Sequence, residues 1–388
     1  MTACNRVCHI TTSFPLYQGH SSGWFVYNQV RGLADAGVLI DVVAPHTAGA
    51  ATFENQNGIR IHRYRYLPEI WEQVAYGGGI PANLRENKLR RLALPWFLLG
   101  GMNKAWGVVQ SADIIHAHWS FSGLMADLIR QKKPLVVSFH GSDVMGASGL
   151  MKKLAMRAAN RASAVIVHSQ AMKQAVQAMC DPGKVRLLPH GIAIEEIPTA
   201  QHNTGDRVQL IGIGRLSQEK GFDVLIDALA LLDDNLPWSC TIYGEGPEHS
   251  ALQAKIASLG LTDRVALPGA VDHDRLITNL TNADIAVFPS RREGFGVACL
   301  EASAAGLPVV ATQCGGLEEI VDFGRTGLGV QVENPGEMAE AINTLIADAT
   351  LRKTMGKAGR ERAQSAFSLS SVTAKLLQIY KDVLAKQA

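Results

Sequence analysis

Short apolar runs alternate with longer helical patterns in two successive stretches of this 388-residue chain. This alternation is the sequence feature that most constrains how the chain can fold. In the first half, β-branched runs such as Val7–Thr12 and Ile40–Ala44 enclose a helical pattern near Phe25–Ala36. Strands that alternate with helices are typical of parallel sheets joined by crossover helices. After a polar stretch, Thr199–Asp206, the alternation begins again at Val208–Ile213. We therefore predict two Rossmann-like α/β domains.

The domain limits follow from this polar stretch and from a last helical run, Leu369–Lys386. A chain of this length exceeds one ordinary hydrophobic core and suits two domains with a ligand-binding cleft between them. We place an N-terminal domain at residues 1–198 and a C-terminal domain at 199–368. The final segment, 369–388, is predicted to be a helix that packs back toward the N-terminal domain.

The composition indicates neither export nor membrane insertion. The six cysteines are scattered without a C-x-x-C pair, and the chain opens without the charged and apolar segments of a signal peptide. No apolar stretch approaches the length needed to span a bilayer. The twelve histidines and six cysteines show no zinc-site spacing. We therefore expect a cytoplasmic protein without a structural zinc ion.

The two halves of the chain carry opposite charge. Residues 1–195 hold 20 basic and 11 acidic residues, a net charge of +9, whereas residues 196–388 hold 17 and 24, a net charge of −7. A basic half suits an anionic partner such as a membrane surface or a pyrophosphate-bearing lipid, and an uneven solvated surface is the alternative. We expect no nucleic-acid partner, because no stacking motif or recognition helix accompanies the charge.

The stretch Leu84–Val109 combines basic side chains with an apolar, aromatic end. Its basic and aromatic members include Arg85, Lys88, Arg90, Arg91, Trp96 and Phe97. An amphipathic helix of this composition suits a membrane interface. An ordinary surface helix is the alternative, and Pro95 would interrupt a long continuous helix. The first hypothesis predicts a peripheral protein on the inner face of the cytoplasmic membrane.

The first candidate site is the segment Gly212–Gly221, which follows a predicted strand and opens a helix. Glycines at such a turn let the backbone bend tightly and approach a phosphate closely. Arg215 and Lys220 add positive charge within the same loop. Two solvated surface cations are the alternative, but their combination with the glycines favours phosphate binding.

The second candidate site is the segment Ser290–Pro308, which reads as a strand end, a glycine-rich loop and a helix. Amides at the start of that helix can point at a phosphate. Glu301 lies among apolar neighbours on the same helix. A carboxylate in that setting is expected to meet hydrogen-bond donors such as two ribose hydroxyls.

Several short motifs follow one another along the second half of the chain. They are Gly214-Arg215-Leu216, Glu219-Lys220-Gly221, Pro289-Ser290, Glu293, Glu301-Ala302, Gly306-Leu307-Pro308 and Gly315-Gly316. Together they resemble the motifs of the retaining glycosyltransferases of family 4, which have the GT-B fold. The resemblance implies two Rossmann-like domains facing each other across a cleft, and it covers most of both halves. It is specific to the donor site and leaves the acceptor open.

The resemblance implies a set of catalytic residues. The cations that match Arg215 and Lys220 hold the donor diphosphate, and the carboxylate that matches Glu293 contacts the donor sugar near its reacting carbon. His140, at a predicted strand end, matches a histidine beside that sugar. Breaking the anomeric bond builds negative charge on the diphosphate and positive charge on the sugar, so these groups suit both demands. Further donor contacts are implied at Gly23, Gly214, Gly269, Val271, Phe295, Gly296, Val297 and Glu301.

The acceptor side is less specified. His118 and Trp119 end another predicted strand, and Asp143 follows His140 closely, so all three are candidates for shaping an acceptor pocket. A packed strand end explains a histidine there nearly as well.

The motifs predict chemistry without an obligatory metal ion. Asp272-His273-Asp274 imitates the metal-binding motif of a different glycosyltransferase fold, but its position suits an ordinary helix start. Arg215 and Lys220 are available for the diphosphate. We therefore expect no cofactor beyond the nucleotide-sugar co-substrate.

The predicted function is retaining transfer of a hexose from a nucleotide diphosphate-sugar to a glycan or lipid-linked acceptor. A UDP-sugar is the first choice of donor and a GDP-sugar the second, in the synthesis of cell-surface polysaccharide or glycolipid. Two alternatives stay open, a sugar-nucleotide epimerase of the same fold and a catalytically idle subunit that binds a nucleotide-sugar or glycan.

Overall fold

The computed structural model describes residues 4–17, 20, 22–77, 79–141, 143–145, 148–201, 207–233 and 235–387. The chain divides into two compact units, of which unit 1 comprises residues 1–191 and 369–388 and unit 2 comprises residues 192–368. Each unit contains a largely or wholly parallel sheet with helices on both faces. The predicted fold class, two Rossmann-like α/β units, is confirmed.

The described strands of unit 1 form one sheet. They are β1 (Arg6–Ile10), β2 (Leu39–Pro45), β3 (Phe53–Gln56), β4 (Ile59–Tyr64), β5 (Ile114–His118), β6 (Leu135–Ser138), β7 (Ala164–Val167) and β8 (Val185–Leu187). Their order is β3-β4-β2-β1-β5-β6-β7-β8, and only the β3–β4 pair is antiparallel among these described strands. The helices up to residue 191 are α1 (Trp24–Asp35), α2 (Ile80–Glu86), α3 (Leu94–Val109), α4 (Trp119–Ile129), α5 (Gly149–Arg161) and α6 (Gln170–Gln177).

The strands of this sheet are apolar because both of its faces are covered. Ile115 and Val137 belong to one buried cluster, whereas their chain neighbours Ile114 and Val136 belong to another on the opposite face. Parallel sheets require such double burial, and it produces nearly continuous apolar runs. Histidines accordingly lie at or near the carboxyl ends of β1 and of β5 to β8.

Unit 2 repeats the plan with a smaller sheet. Its described strands are β9 (Val208–Ile213), β10 (Trp238–Tyr243), β11 (Val265–Gly269), β12 (Ile285–Phe288), β13 (Val309–Thr312) and β14 (Gly327–Val330). Their order is β11-β10-β9-β12-β13-β14, with every described pair parallel. Its helices are α7 (Phe222–Leu229), α8 (His249–Ser258), α9 (His273–Thr281), α10 (Val297–Ala304), α11 (Leu317–Ile320), α12 (Pro335–Ala347) and α13 (Ala349–Phe367).

The last helix, α14 (Leu369–Ala385), belongs to unit 1 although it follows unit 2 in the chain. Leu376 and Tyr380 are fully buried in the same apolar cluster as the residues of α1. Gly32 of α1 allows this close packing, because a Cβ atom there would lie 2.2 Å from Thr373 Oγ1. The first unit is thus assembled from two separate parts of the chain.

The structure places the unit boundary at Gly191/Ile192, before the expected limit at 198/199. The reason is that Ile194 and Ile197 pack into an apolar cluster of unit 2. The amide of Ala200 also donates to the carbonyl of Ala305. Residues 202–206 of the polar stretch Thr199–Asp206 lie outside the described residues.

The basic, aromatic stretch is broken into three pieces. Helix α2 ends at Glu86, a 3₁₀ turn covers Lys88–Ala93, and α3 begins at Leu94. The break comes at Asn87, whose side chain caps the turn by accepting from the Leu89 amide, and not at Pro95. Proline at the start of α3 is tolerated because amides of the first turn have no helical acceptor.

Candidate functional site

Two loops at the carboxyl ends of neighbouring strands bring together the charged residues of unit 2. Lys220 ends a 3₁₀ turn after β9, and Glu293 lies in the loop after β12. The Lys220 ammonium donates a hydrogen bond to Glu293 Oε2, and Ser290 Oγ lies 3.4 Å from the same oxygen. Lys220 and Glu293 were assigned to one site from separate motifs, and the structure places them in contact.

Arg291 ties these two loops together. Its guanidinium donates to both carboxylate oxygens of Asp223 at 2.7 Å, and it also donates to the Gln218 carbonyl at 2.7 Å. These hydrogen bonds lower the pKa of Asp223. The amides of Arg291 and Arg292 both donate to the Glu219 carbonyl, at 2.9 and 3.2 Å. Arg291 thereby fixes the distance between the segments that carry Lys220 and Glu293.

Glycines allow the backbones of this site to touch. Gly221 has a φ of +66°, and a Cβ atom there would lie 2.1 Å from the Pro289 carbonyl oxygen. A Cβ atom on Gly316 would lie 2.1 Å from Phe295 Cα. No other residue fits at either position without moving the loop. The glycine motifs therefore pack one loop against the next.

Helix α10 begins next to the Lys220–Glu293 pair. Gly296 precedes its first residue, Val297, with a φ of +100°. The Phe295 side chain is buried against Phe367, so this segment can offer a ligand its backbone and not its aromatic ring. The first amides of a helix have no acceptor within it and carry the positive end of the helix dipole. This end of α10 is therefore suited to a phosphate or a sugar hydroxyl.

Glu301 has a partner that the sequence did not reveal. Its carboxylate is buried, and Oε1 lies 2.9 Å from His273 Nε2. Burial lowers the pKa of His273, but the hydrogen bond and charge of Glu301 outweigh it and raise that pKa above its ordinary value. Asp272 precedes the first residue of α9, as the helix-start interpretation predicts. His273 thus orients Glu301 from the neighbouring helix.

The other donor-side residues of unit 2 lie at the same edge of its sheet. Gly214 follows β9, and its amide donates to the Tyr243 carbonyl at 3.0 Å. Gly269 ends β11 with a φ of +91°, and Val271 follows it, half-buried. The Arg215 side chain is exposed. The ligand contacts of these positions stay predictions.

In unit 1 the structure gathers six histidines, which we call the histidine column. They are His9, His116, His118, His140, His168 and His190. They lie at or near the carboxyl ends of five adjacent parallel strands, β1, β5, β6, β7 and β8. Successive rings in the column lie with centroids between 3.8 and 5.3 Å apart. His140, a predicted catalytic residue, and His118, a predicted acceptor-side residue, are therefore parts of a larger cluster.

Burial keeps the histidine column neutral. It lowers the pKa of His9 to about 3 and that of His168 to about 4. Burial, followed by the charge of neighbouring imidazoles, also lowers the pKa of His116, His118, His140 and His190 well below the ordinary value. Charged imidazoles side by side would repel one another in a medium with little water.

Two groups of three histidines place ring nitrogens within 4.8 Å of one another, namely His9/His116/His118 and His140/His168/His190. In the first group, both nitrogens of His116 are engaged, one with Tyr380 Oη at 2.6 Å and one with Ser138 Oγ at 2.8 Å. In the second group the rings are inclined by only 10° to 22°, so their in-plane lone pairs do not converge on one point. Neither arrangement resembles a tetrahedral metal site, and the absence of an obligatory metal stays a prediction.

Asp143 and Trp119 have structural roles beside His140. The buried Asp143 carboxylate accepts from the His140 amide at 3.2 Å and lies 3.4 Å from Ser120 Oγ. Burial raises the pKa of Asp143 to about 6. Trp119 has a φ of +65°, an uncommon backbone conformation for a residue other than glycine, and its ring lies 4.5 Å from that of His140. Both residues hold the His140 loop in place.

Gly23 also has a steric reason for its identity. It precedes α1 with a φ of +71°, and a Cβ atom there would lie 2.5 Å from the Ser13 carbonyl oxygen. The loop after β1 therefore packs backbone against backbone at this position.

Family models match nearly the whole chain. A model described as Glycosyltransferase Family 4 matches residues 22–196, and one described as Glycosyl transferases group 1 matches residues 193–362. A GDP-mannose-dependent alpha-(1-6)-phosphatidylinositol monomannoside mannosyltransferase of Mycobacterium tuberculosis is 28% identical, over 96% of this chain and 97% of that protein.

Solved structures share the fold of the whole chain. The sucrose-phosphate synthase of Thermosynechococcus elongatus has a TM-score of 0.83 at 23% identity, covering 98% of this chain and all of that one. Anabaena HepE, in complex with UDP and glucose, has a TM-score of 0.78 at 22% identity, covering 97% of this chain and 100% of that one. These likenesses concern the fold alone.

Replacing Arg291 with lysine should loosen the two charged loops of unit 2. Lysine keeps the charge but cannot donate to both Asp223 oxygens and to the Gln218 carbonyl at once. Because the Arg291–Asp223 ion pair is partly exposed, we expect the free energy of unfolding to fall by only about 1 kcal/mol. Chemical denaturation measures this change, with Arg292→Lys, at the exposed neighbouring position, as the control. Equal stability of the two variants would contradict the role of Arg291.

The histidine column should make the protein sensitive to acid. All six pKa values are lowered in the folded state, so below about pH 6.5 the unfolded chain binds more protons and the free energy of unfolding falls. Below about pH 6.5, each ring that stays neutral in the folded protein lowers the free energy of unfolding by up to about 1.4 kcal/mol per pH unit. Urea unfolding at pH 7.5, 6.5, 5.5 and 4.5 tests this. A flat stability profile over that range would show that the rings are accessible to protons in the folded protein.

Proposed function

The chain belongs to the glycosyltransferases of family 4, and we propose that it transfers a sugar from a nucleotide diphosphate-sugar to a glycan or lipid-linked acceptor with retention of anomeric configuration. The observation that carries the proposal is the contact between Lys220 and Glu293 at the start of helix α10. A cation, a carboxylate and free helical amides meet there within one small region.

Each of these groups has a distinct task in transfer. Lys220 and Arg215 bind the diphosphate and offset the negative charge that grows on it as the anomeric bond breaks. The first amides of α10 bind a phosphate or sugar oxygen at the positive end of the helix dipole. Glu293, held by Lys220 and Ser290, faces the positive charge that develops on the sugar ring. Arg291 holds both loops at the separation that this requires.

The proposed reaction needs no metal ion and no covalent sugar intermediate. Two cations and the helix amides meet the charge that a divalent ion would otherwise neutralise. Glu293 is already engaged by Lys220, which suits electrostatic stabilisation better than nucleophilic attack. Attack by the acceptor on the same face as the leaving diphosphate then gives retention, with the diphosphate accepting the acceptor proton.

The donor is proposed to be a UDP-sugar, with a GDP-sugar as the second choice. HepE was solved with UDP, and the mycobacterial relative is named for GDP-mannose. Glu301, oriented by His273, is placed on α10 to accept from ribose hydroxyls, which both nucleotides share. A hexosyl donor, and a role in polysaccharide or glycolipid synthesis, complete the proposal.

A donor screen tests the proposal directly. UDP-, GDP- and ADP-sugars are offered without acceptor, and we expect one of them to raise the melting temperature and to be hydrolysed slowly. Lys220→Ala and Glu293→Ala should lower turnover by about a hundredfold or more, as loss of a transition-state charge contact does. Lys255→Ala is the matched control, since Lys255 pairs with Asp227 on the surface of the same unit.

The same screen separates the alternatives. Interconversion of a UDP-sugar with its epimer, without hydrolysis, would assign the chain to epimerisation. Stabilisation without turnover, even with glycan and lipid acceptors supplied, would assign it to an idle binding subunit.

We further propose that the acceptor is lipid-linked and is met at an anionic membrane surface on the cytoplasmic side. Among the described residues, no helix is both long and apolar enough to cross a bilayer. The 3₁₀ turn and α3 nevertheless expose large apolar side chains, which we call the apolar face: Leu89, Leu92, Trp96, Leu99 and Trp106. Lys88 and Arg91 are exposed beside them. Such a face, flanked by cations, suits the interface of an anionic bilayer.

The structure changes which residues of this stretch are relevant. Phe97 is fully buried in the core of unit 1, and Arg90 is bound to Glu86 and to the Asn83 carbonyl. Trp96, Leu99 and Trp106 recur at helical spacing on the outer side of α3 instead.

Vesicle cosedimentation tests the membrane proposal. The protein should bind vesicles of phosphatidylglycerol and phosphatidylcholine, and the triple change Leu92→Ser, Trp96→Ser and Leu99→Ser should weaken binding by about tenfold or more, because apolar area no longer inserts. Leu231→Ser, at a residue of unit 2 that is 59% exposed, is the control. Binding that the triple change leaves unaltered would contradict the proposal.

A further inference from the structure

Three rings of the histidine column are hydrogen-bonded end to end. His9 Nδ1 lies 3.0 Å from His118 Nε2, and His118 Nδ1 lies 3.1 Å from His140 Nε2. In both pairs the ring centroids are 5.3 Å apart and the planes are inclined by only 18° or 19°. A nitrogen contact this short at that centroid distance means that the rings meet edge to edge, close to one plane. We call this set the imidazole chain.

The imidazole chain can hold its protons in only two ways. A neutral imidazole carries one N–H and one lone pair. The three rings together carry three N–H groups, and two of these form the hydrogen bonds between the rings. The third N–H must therefore lie at one end of the imidazole chain. The two end atoms are His9 Nε2 and His140 Nδ1, and both are buried without a hydrogen-bond partner among the described residues. If one end carries the proton, the other end carries a lone pair.

Burial removes the charged alternatives. It lowers the pKa of His9 to about 3 and holds the pKa of His118 and His140 well below the ordinary value, so no ring takes a second proton near neutrality. The two neutral states of the imidazole chain then differ only in the direction in which its two hydrogen bonds are donated.

The surroundings of the two ends select one direction. His9 is completely inaccessible to solvent, whereas His140, at the end of β6, keeps part of its surface exposed although its Nδ1 atom is itself covered. Only the His140 end of the imidazole chain therefore lies near space that a ligand can enter. Buried N–H groups without an acceptor are rarer in proteins than buried acceptors without a donor. The lone pair therefore belongs on His9 Nε2, and the third proton belongs on His140 Nδ1.

Neighbouring rings of the column do not share in this coupling. His116 contacts His9 and His118, but its nitrogens are committed to Tyr380 and Ser138. His168 Nδ1 donates to the Leu188 carbonyl at 2.7 Å, which fixes its own tautomer separately. The imidazole chain is thus a distinct unit within the column.

We infer that His9 and His118 are positioning residues that act through the imidazole chain to make neutral His140 a hydrogen-bond donor at Nδ1 for an oxygen of a sugar bound at the carboxyl edge of the unit 1 sheet. The part of this inference that concerns the sugar rests on the proposed function. The part that concerns the proton does not, because it follows from the two hydrogen bonds and the two unpartnered ends. A donor that stays neutral can bind a sugar hydroxyl without bringing a charge into this desolvated edge of the sheet.

Two isosteric substitutions test the coupling. In His9→Asn, the amide can donate to His118 Nε2 as His9 does, so His140 should keep its proton on Nδ1. In His9→Asp, the carboxylate can only accept a hydrogen bond. His118 and His140 should then both carry their proton on Nε2, which leaves a lone pair on His140 Nδ1. Nitrogen-15 NMR of histidine-labelled protein reads these tautomers directly, without any substrate.

We expect wild type and His9→Asn to show a protonated His140 Nδ1, and His9→Asp to show a protonated Nε2. His116→Asn, at the same depth but outside the chain, should leave the His140 signals unchanged. The inference is overturned if the His140 tautomer is the same in the Asn and Asp variants, or if wild type carries the proton on Nε2. Should His9→Asp not fold, nitrogen–nitrogen scalar couplings across the two hydrogen bonds of wild type report the coupling instead, and their absence, or a proton on His140 Nε2, overturns the inference.

Turnover gives the second readout. With the donor found by the screen, His9→Asp should lower kcat by about tenfold or more while His9→Asn retains it, since the loss of one hydrogen-bond donor to a buried acceptor has about that effect. If the His140 tautomer reverses in His9→Asp and kcat does not change, the imidazole chain has no role in sugar transfer. Failure of the donor screen itself, with the NMR result intact, would count against the proposed function and not against the coupling.

Discussion

The common direction of the strands is the constraint on which both units depend. Parallel strands that are buried on both faces accommodate few polar groups along their length, so polar side chains collect mainly toward the ends of the strands. In unit 2 that edge holds Lys220 and Glu293 after two adjacent strands. In unit 1 the same edge holds the histidine column. One architectural rule thus produces a charged site in one unit and a neutral, desolvated one in the other.

Much of this could be predicted from the sequence, because some signals are local. The alternation of strands and helices gives the fold class, and the glycine and charge motifs point to Lys220 and Glu293 as members of one site. Gly221 and Gly316 are recognisable because a close backbone approach tolerates no side chain. The family assignment rests on these same motifs, and the matched models extend it across both units.

The remainder depends on contacts between distant segments. His9 and His140 belong to one hydrogen-bonded chain only because β1, β5 and β6 are neighbours in the sheet, and no spacing in the sequence shows this. Arg291 looks like one of two adjacent surface cations until Asp223 is found opposite it. Phe97 was expected at a membrane-facing end, but helix packing turns it into the core. A histidine that recurs at or near the ends of five strands of unit 1 was the available hint.

The placement of α14 has a consequence for how the protein is made. Unit 1 begins near the start of the chain, yet it needs a helix that the ribosome adds only after all of unit 2. Until then His116 has no Tyr380 hydroxyl, and the groove beside α1 exposes apolar side chains. The second unit, contiguous in sequence, has everything it requires earlier. The nascent chain therefore completes its second unit first, and the histidine-lined first unit is closed last.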